Sequence, residues 1–100
     1  MGLTANWTTD WTLQGRVSGG AIHLSGHVTY GGTTYTDGTD VAVSSAALPG
    51  VSSAYDSPEF MVLSASTSSI RQGRIRSGVL RISNPVHNEV YTFNYVLPYL

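Results

Sequence analysis

His23 and His27 stand four residues apart, the spacing that brings two imidazoles onto one metal ion when both lie on a helix. The residues around them alternate apolar and polar, which predicts a strand. There four residues span about 13 Å, too far for one ion to bond both rings. The metal geometry left over is a site shared with the same histidine of a second copy on a symmetry axis. Two half-exposed strand histidines are the plainer expectation, and no metal is assigned. Serine, histidine and aspartate all occur, but no serine sits in a Gly-x-Ser-x-Gly elbow, and a catalytic triad is defined by geometry rather than composition. Asp37 and Asp40 flank Gly38 without the remaining positions of a calcium loop. No two carboxylates are forced into the separation of about 5–10 Å that glycan hydrolysis needs. With no phosphate-binding glycine loop or dinucleotide fingerprint either, the expectation is a protein that is not an enzyme and carries no cofactor.

The charge pattern is more specific. Arg71, Arg74, Arg76 and Arg81 are four of the five basic residues and fall within eleven positions. If Ser77-Gly78 is a two-residue turn, Arg76 pairs with Val79, Ile75 with Leu80 and Arg74 with Arg81. Arg74, Arg76 and Arg81 then share one face while Ile75, Leu80 and Ile82 point inward. Like charges directly opposite each other are unfavourable, so an anionic group is expected close by. That group is either an acidic partner or anionic polymer, or an intrachain acid such as Asp56, Glu59 or Glu89. The aromatic residues cluster at the two ends, with Trp7 and Trp11 as candidate arm contacts and Tyr91, Phe93, Tyr95 and Tyr99 near the close. The final Val96-Leu97-Pro98-Tyr99-Leu100 is apolar enough to be sticky on a monomer. Tyr95, Leu97, Tyr99 and Leu100 are therefore expected at a subunit interface.

One hundred residues make one domain with one core, and charged residues are 11% of the chain against about 25% in an average soluble domain. Lysine is absent, and thirteen Ser, eleven Thr and eleven Gly supply the polarity. Such a surface suits an all-β subunit of a larger assembly better than a charge-solubilised monomer. A net charge of −1 gives no field to attract nucleic acid or an anionic membrane, and neither is expected as a partner. Zero cysteines exclude disulfides and thiolate metal sites. The first residues show neither the basic nor the apolar region of a secretory signal, and no apolar run approaches a membrane span.

The elements that position these residues read as strands throughout. Ile22, Leu24, Val28 and Tyr30 share one face of residues 21–30, with Gly26 among them, and His23, Ser25, His27 and Thr29 share the other. Trp11, Leu13, Gly15 and Val17 alternate before the Ser18-Gly19-Gly20 turn. A short strand is expected around Thr33 to Thr36, a turn at Asp37-Gly38, and a weak strand from Val41. Residues 44–58 form a long connection between two sheets. The run Phe60-Met61-Val62-Leu63 reads as a strand covered on both faces. The last strand runs from about Glu89 to Leu97. The fold class is a small antiparallel β-sandwich, jelly-roll-like, of seven to eight short strands. Its organisation is an N-terminal arm (1–10) and a single domain (11–100).

Several motifs then stand in a familiar order: Leu13-Gln14-Gly15-Arg16-Val17, Ile22-His23-Leu24-Ser25-Gly26-His27-Val28, Tyr35-Thr36-Asp37-Gly38-Thr39, Ala47-Leu48-Pro49 and Gly78-Val79-Leu80-Arg81-Ile82, before an aromatic closing strand. Over most of residues 11–97 the chain resembles the carboxyl-terminal head domain of tail-fibre and minor tail proteins in phages of Gram-positive bacteria. After Leu48-Pro49 it has Gly50-Val51-Ser52-Ser53-Ala54-Tyr55 where that family commonly continues Gly-Tyr-Arg-Pro. The resemblance implies a jelly-roll-like sandwich that assembles as a homotrimer on a virion, contacts other virion proteins and recognises host-cell wall saccharide. It also implies synthesis in the host cytoplasm. With almost nothing ahead of the head, the alternatives are a capsid decoration protein clamped to the shell by its arginines and terminal segments, a tail-tip cap, or a fragment of a fibre without its shaft.

Overall fold

The computed structural model describes residues 3–64 and 70–99, and for residues 9–12 the backbone alone. Seven strands follow in chain order: β1 (Trp7–Ser18), β2 (Ala21–Tyr30), β3 (Asp40–Ala42), β4 (Phe60–Ser64), β5 (Ile70–Arg76), β6 (Val79–Ser83) and β7 (Val90–Pro98). No helix among the described residues is long and apolar enough to cross a membrane. All pairings are antiparallel, in the order β1-β2-β7-β4-β5-β6-β3.

Two tight hairpins set the register. Gly19 and Gly20 both take positive φ, as do Ser77 and Gly78, the conformation of a two-residue turn whose twist matches the strands it joins. The second turn yields the pairs Arg76↔Val79, Ile75↔Leu80 and Arg74↔Arg81 that its sequence predicts, with Ile75, Leu80 and Ile82 fully buried. A side chain at Gly78 would also strike the Ser52 carbonyl, 2.7 Å from an ideal Cβ.

The order of strands makes one hydrogen-bonded sheet fold into two layers. Among the described residues β4 meets β7 only at Leu63↔Thr92 and Ser64↔Tyr91. Beyond that corner the strands part, and Phe60 fills the gap against Tyr95 with ring centroids 5.2 Å apart. On the opposite side the arm before β1 reaches the end of β3, through the Leu3↔Ser44 bridge and the Thr4 N–H donated to the Val43 carbonyl at 3.0 Å. The end of the short edge strand β3 is thereby covered, with the Thr4 hydroxyl also donating to the Ala42 carbonyl at 2.8 Å. The result is the expected all-β sandwich around one core.

Alternation builds that core. Ile22, Leu24, Val28 and Tyr30 of β2 point inward beside Tyr91, Phe93 and Leu97 of β7, facing Val62, Ile75, Leu80 and Ile82 of the other layer. Leu48 and Val51 enter it from the long connection, whose backbone is tied to the β5–β6 hairpin by Leu48 N–H to Gly78 O and Gly78 N–H to Tyr55 O.

Three sequence expectations change. Residues 31–39 are loop throughout, because Tyr35 bonds to the backbone of Pro85 in another loop instead of a neighbouring strand. The run Phe60–Leu63 is covered on one face only: Val62 is fully buried while Met61 and Leu63 are 66% and 50% exposed, since no layer lies outside β4. Val17 is also exposed, at the end of a strand whose register with β2 shifts twice before Gln14.

Candidate functional site

Two loops at one end of the sandwich are knitted into a single body. Loop 31–39 leaves β2 over the ring of Tyr30, whose hydroxyl donates to the Thr33 carbonyl at 2.7 Å. Gly32 lies so close to that ring that an added Cβ would stand 2.6 Å from the Tyr30 oxygen, so only glycine permits the path. Loop 84–89 joins β6 to β7 and holds two asparagines in the left-handed region, Asn84 (φ 53°) and Asn88 (φ 66°). Asparagine visits that region more readily than other side-chain-bearing residues.

Asn84 is the knot between the loops. Its side-chain oxygen accepts the Gly38 N–H at 2.8 Å, its own N–H donates to the Thr39 carbonyl, and its carbonyl accepts Arg71 Nε–H at 3.0 Å. Tyr35 N–H donates to Pro85 O, and His87 N–H donates to Thr34 Oγ1. Asp37 closes its own turn by accepting the hydroxyl and amide of Thr39, bonds that hold its carboxyl below the ordinary aspartate value.

Between these loops and β5 opens a cleft of about 440 Å³. Tyr35 and Thr36 form one wall, Arg71 and Gln72 the floor, and Ser83 and Asn84 the far side, with Ile70 and Val86 as apolar rim. Beneath it Glu89 is buried, 3.9 Å from the Arg71 guanidinium and 3.5 Å from the Tyr91 hydroxyl. Burial raises the Tyr91 phenol above its ordinary value, against the Val86 amide whose hydrogen bond it accepts, so it remains a hydroxyl. Burial likewise raises Tyr30, with the neighbouring Tyr35 adding to it. The cleft therefore offers an aromatic ring, amides, hydroxyls and a guanidinium whose charge an acid already balances. That set can grip a hydroxylated, uncharged ligand by stacking and hydrogen bonds.

The arginines singled out by sequence are placed as follows. Arg71 lies under the cleft. Arg74 and Arg81 face each other across β5 and β6 with the carboxylate of Asp40 between them: Arg74 Nε donates to Asp40 Oδ2 at 3.0 Å, its Nη2 to the same oxygen, and Arg81 Nε stands 3.8 Å away. Glu59 is 3.5 Å from Arg74 Nη1, and Ser83 donates to the other Asp40 oxygen. Arg76 is exposed at the turn. Asp40 was not among the acids expected from sequence, because β3 comes beside β6 only through the sheet order.

The aromatic candidates divide differently. Trp7 is a core residue, 3% exposed and 4.7 Å from the Tyr30 ring centroid, because β1 starts there. The side chain of Trp11 and the whole of Leu100 lie outside the described residues. Leu97 is buried and Tyr99 half-buried in their own chain, Tyr99 accepting the Ser52 N–H at 2.7 Å and stacking edge-on against Tyr55. Tyr95 reaches the Met61 carbonyl with its hydroxyl. The exposed apolar surface lies instead at Met61, Leu63, Ile70 and Val96. Leu63 and Ile70 are cross-strand partners on the outer face, a pairing the sequence hides inside a run read as buried. Among the described residues no three His, Asp or Glu side chains gather to hold a metal ion.

No family model and no curated protein matches the sequence. Among solved structures the chain is similar to the head domain of phage bIL170, described in a study asking whether the receptor-binding domains of lactococcal phages share a common fold. The two are 17% identical, with a TM-score of 0.71 over 100% of this chain and 94% of the other. At that identity what they share is the fold.

Proposed function

We propose that the chain is the receptor-binding head of a phage tail fibre, carried on the virion as a homotrimer, and that its loop-end cleft takes saccharide of the host-cell wall. The observation that carries this reading is likeness of fold to a phage head domain along the whole chain, together with a preorganised cleft of stacking and hydrogen-bonding groups. Trimer formation draws support from Met61, Leu63 and Ile70, each at least half exposed on the outer faces of the neighbouring strands β4 and β5. Binding without chemistry suits the site, since the acids around it are engaged within the fold: Glu89 is buried near Arg71, Asp40 is held by Arg74 and Ser83, and Asp37 closes its own turn with Thr39.

The capsid-decoration alternative relies on arginines free to clamp a shell. Here Arg74 and Arg81 already share Asp40, and Arg71 stands over Glu89. The test is binding of fluorescently labelled protein to host cells and to their isolated wall saccharide, for the native chain and for Tyr35→Ala and Gln72→Ala. Loss of binding with an unchanged circular dichroism spectrum is expected. Undiminished binding by both variants overturns the cleft assignment, and several hundred copies per particle on the shell overturn the tail location.

A further inference from the structure

The outer face of β1, β2 and β7 holds a second recess, of about 300 Å³, at the other end of these strands. Two rungs of outward side chains line it. Gln14, Ser25 and Asn94 are in register across the three strands, and so are Arg16, His23 and Val96. Neighbours on one rung have Cβ atoms about 4.5–5.5 Å apart, close enough for two of them to grasp one group.

These side chains have no occupation inside the fold. Among the described residues none of Gln14, Arg16, His23, Ser25 or Asn94 makes a side-chain hydrogen bond or ion pair, whereas Arg71, Arg74 and Arg81 each lie against an acid. The described acidic side chains are all engaged elsewhere: Asp37 with Thr39, Asp40 and Glu59 with Arg74, Asp56 with the Ser77 amide, and Glu89 near Arg71. Arg16 is thus an uncompensated cation beside an imidazole, with two amides and a hydroxyl one rung away.

We propose that this face binds the phosphate group of a hydroxylated ligand, a sugar phosphate, with Arg16 and His23 on the phosphate and Gln14, Ser25 and Asn94 on the adjoining hydroxyls. A guanidinium fork with a second nitrogen donor fits a tetrahedral oxyanion, and side-chain amides fit vicinal hydroxyls as both donors and acceptors. Val96 gives the sugar an apolar surface to rest on, being 65% exposed at the end of the second rung. The site is chemically unlike the loop-end cleft, where Glu89 offsets the one guanidinium, and it stands independently of the function proposed for that cleft.

The test is a nitrogen-15 NMR titration of the full chain with glucose 6-phosphate, inorganic phosphate and glucose. Glucose 6-phosphate is expected to move the Arg16 Nε–H and the Gln14 and Asn94 side-chain amides saturably, inorganic phosphate to move Arg16 alone and more weakly, and glucose to move none. Arg16→Gln, at an exposed strand position, is expected to weaken glucose 6-phosphate about tenfold, the scale of one charge-assisted contact. Arg76→Gln is expected to leave it unchanged. The proposal is overturned if Arg76 Nε–H moves as much as Arg16, if glucose matches glucose 6-phosphate, or if Arg16→Gln binds as the native chain does.

Discussion

The guanidinium of Arg74 closes on one carboxylate oxygen of Asp40, thirty-four residues upstream, through both Nε and Nη2. The same oxygen lies 3.8 Å from Arg81, so one carboxylate sits between two arginines that the β5–β6 register sets face to face and weakens their repulsion.

Asp40→Asn leaves those two cations opposed across the sheet. A loss of about 1–3 kcal/mol is expected, read as a lower urea midpoint with unchanged slope. Burial pushes the Asp40 carboxyl up, but the Ser83 hydroxyl and the two guanidiniums outweigh it and hold the value below that of an ordinary aspartate. A carboxyl depressed in the folded state stabilises fully above its unfolded value, about 3.9, and that contribution disappears as pH falls through the folded value. The native chain should therefore lose more stability than Asp40→Asn between pH 5 and about pH 2. Equal losses would show that Asp40 is not the acid responsible.

Asn84 combines an unusual backbone conformation with a side-chain bond, and two substitutions separate them. Asn84→Gly keeps the positive φ without strain and loses only the bond to Gly38, costing about 0.5–1.5 kcal/mol. Asn84→Ala loses the bond and adds about 1 kcal/mol of left-handed strain. Thermal melts should rank native, then glycine, then alanine, and both variants should bind wall saccharide more weakly because the cleft loses its tie between loops.

Gly32→Ala tests how tightly loop 31–39 is seated. An added methyl collides with the Tyr30 hydroxyl, and a cost of about 1–3 kcal/mol is expected as the loop lifts. Hydrogen exchange should quicken at Tyr35 and His87, whose amides bond across the two loops, and stay slow in β2 and β7.

Met61→Gln combined with Leu63→Thr removes apolar surface without touching the core, so the melting temperature of a dilute sample should move little. With the proposed trimer built through this face, sedimentation should pass from trimer toward monomer. An unchanged mass would overturn this face as the subunit contact.

What the sequence made legible follows from local rules. The Ser77-Gly78 turn fixes its own register, so every pair of the β5–β6 hairpin follows from the identity of those two residues. The inward face of β2 followed from alternation alone. Asp40 as partner to Arg74 could not be foreseen, because nothing local says that a three-residue strand will lie beside β6. The outward Met61 and Leu63 were obscured for another reason: a continuous apolar run has no period with which to mark the side that meets water. The unengaged side chains of Gln14, Arg16, Ser25 and Asn94 sit at polar strand positions, where solvent exposure is the ordinary reading and only the register across three strands reveals a shared recess.

The position of β7 also governs the time course of folding. It is the seventh strand in sequence and a central one in space, inserted between β2 and β4, which otherwise share no ladder. The β1–β2 hairpin and the β4–β5–β6 meander can each form early, but among the described residues no strand ladder joins the two layers until β7 arrives, the contact of the arm with the end of β3 being an isolated bridge. Docking of that strand closes the longest-range ladder of the sheet, and folding in about milliseconds to seconds is the regime that topologies rich in non-local pairing occupy. A growing chain would hold its two half-built layers apart until Val90–Pro98 has been made, and only then snap shut.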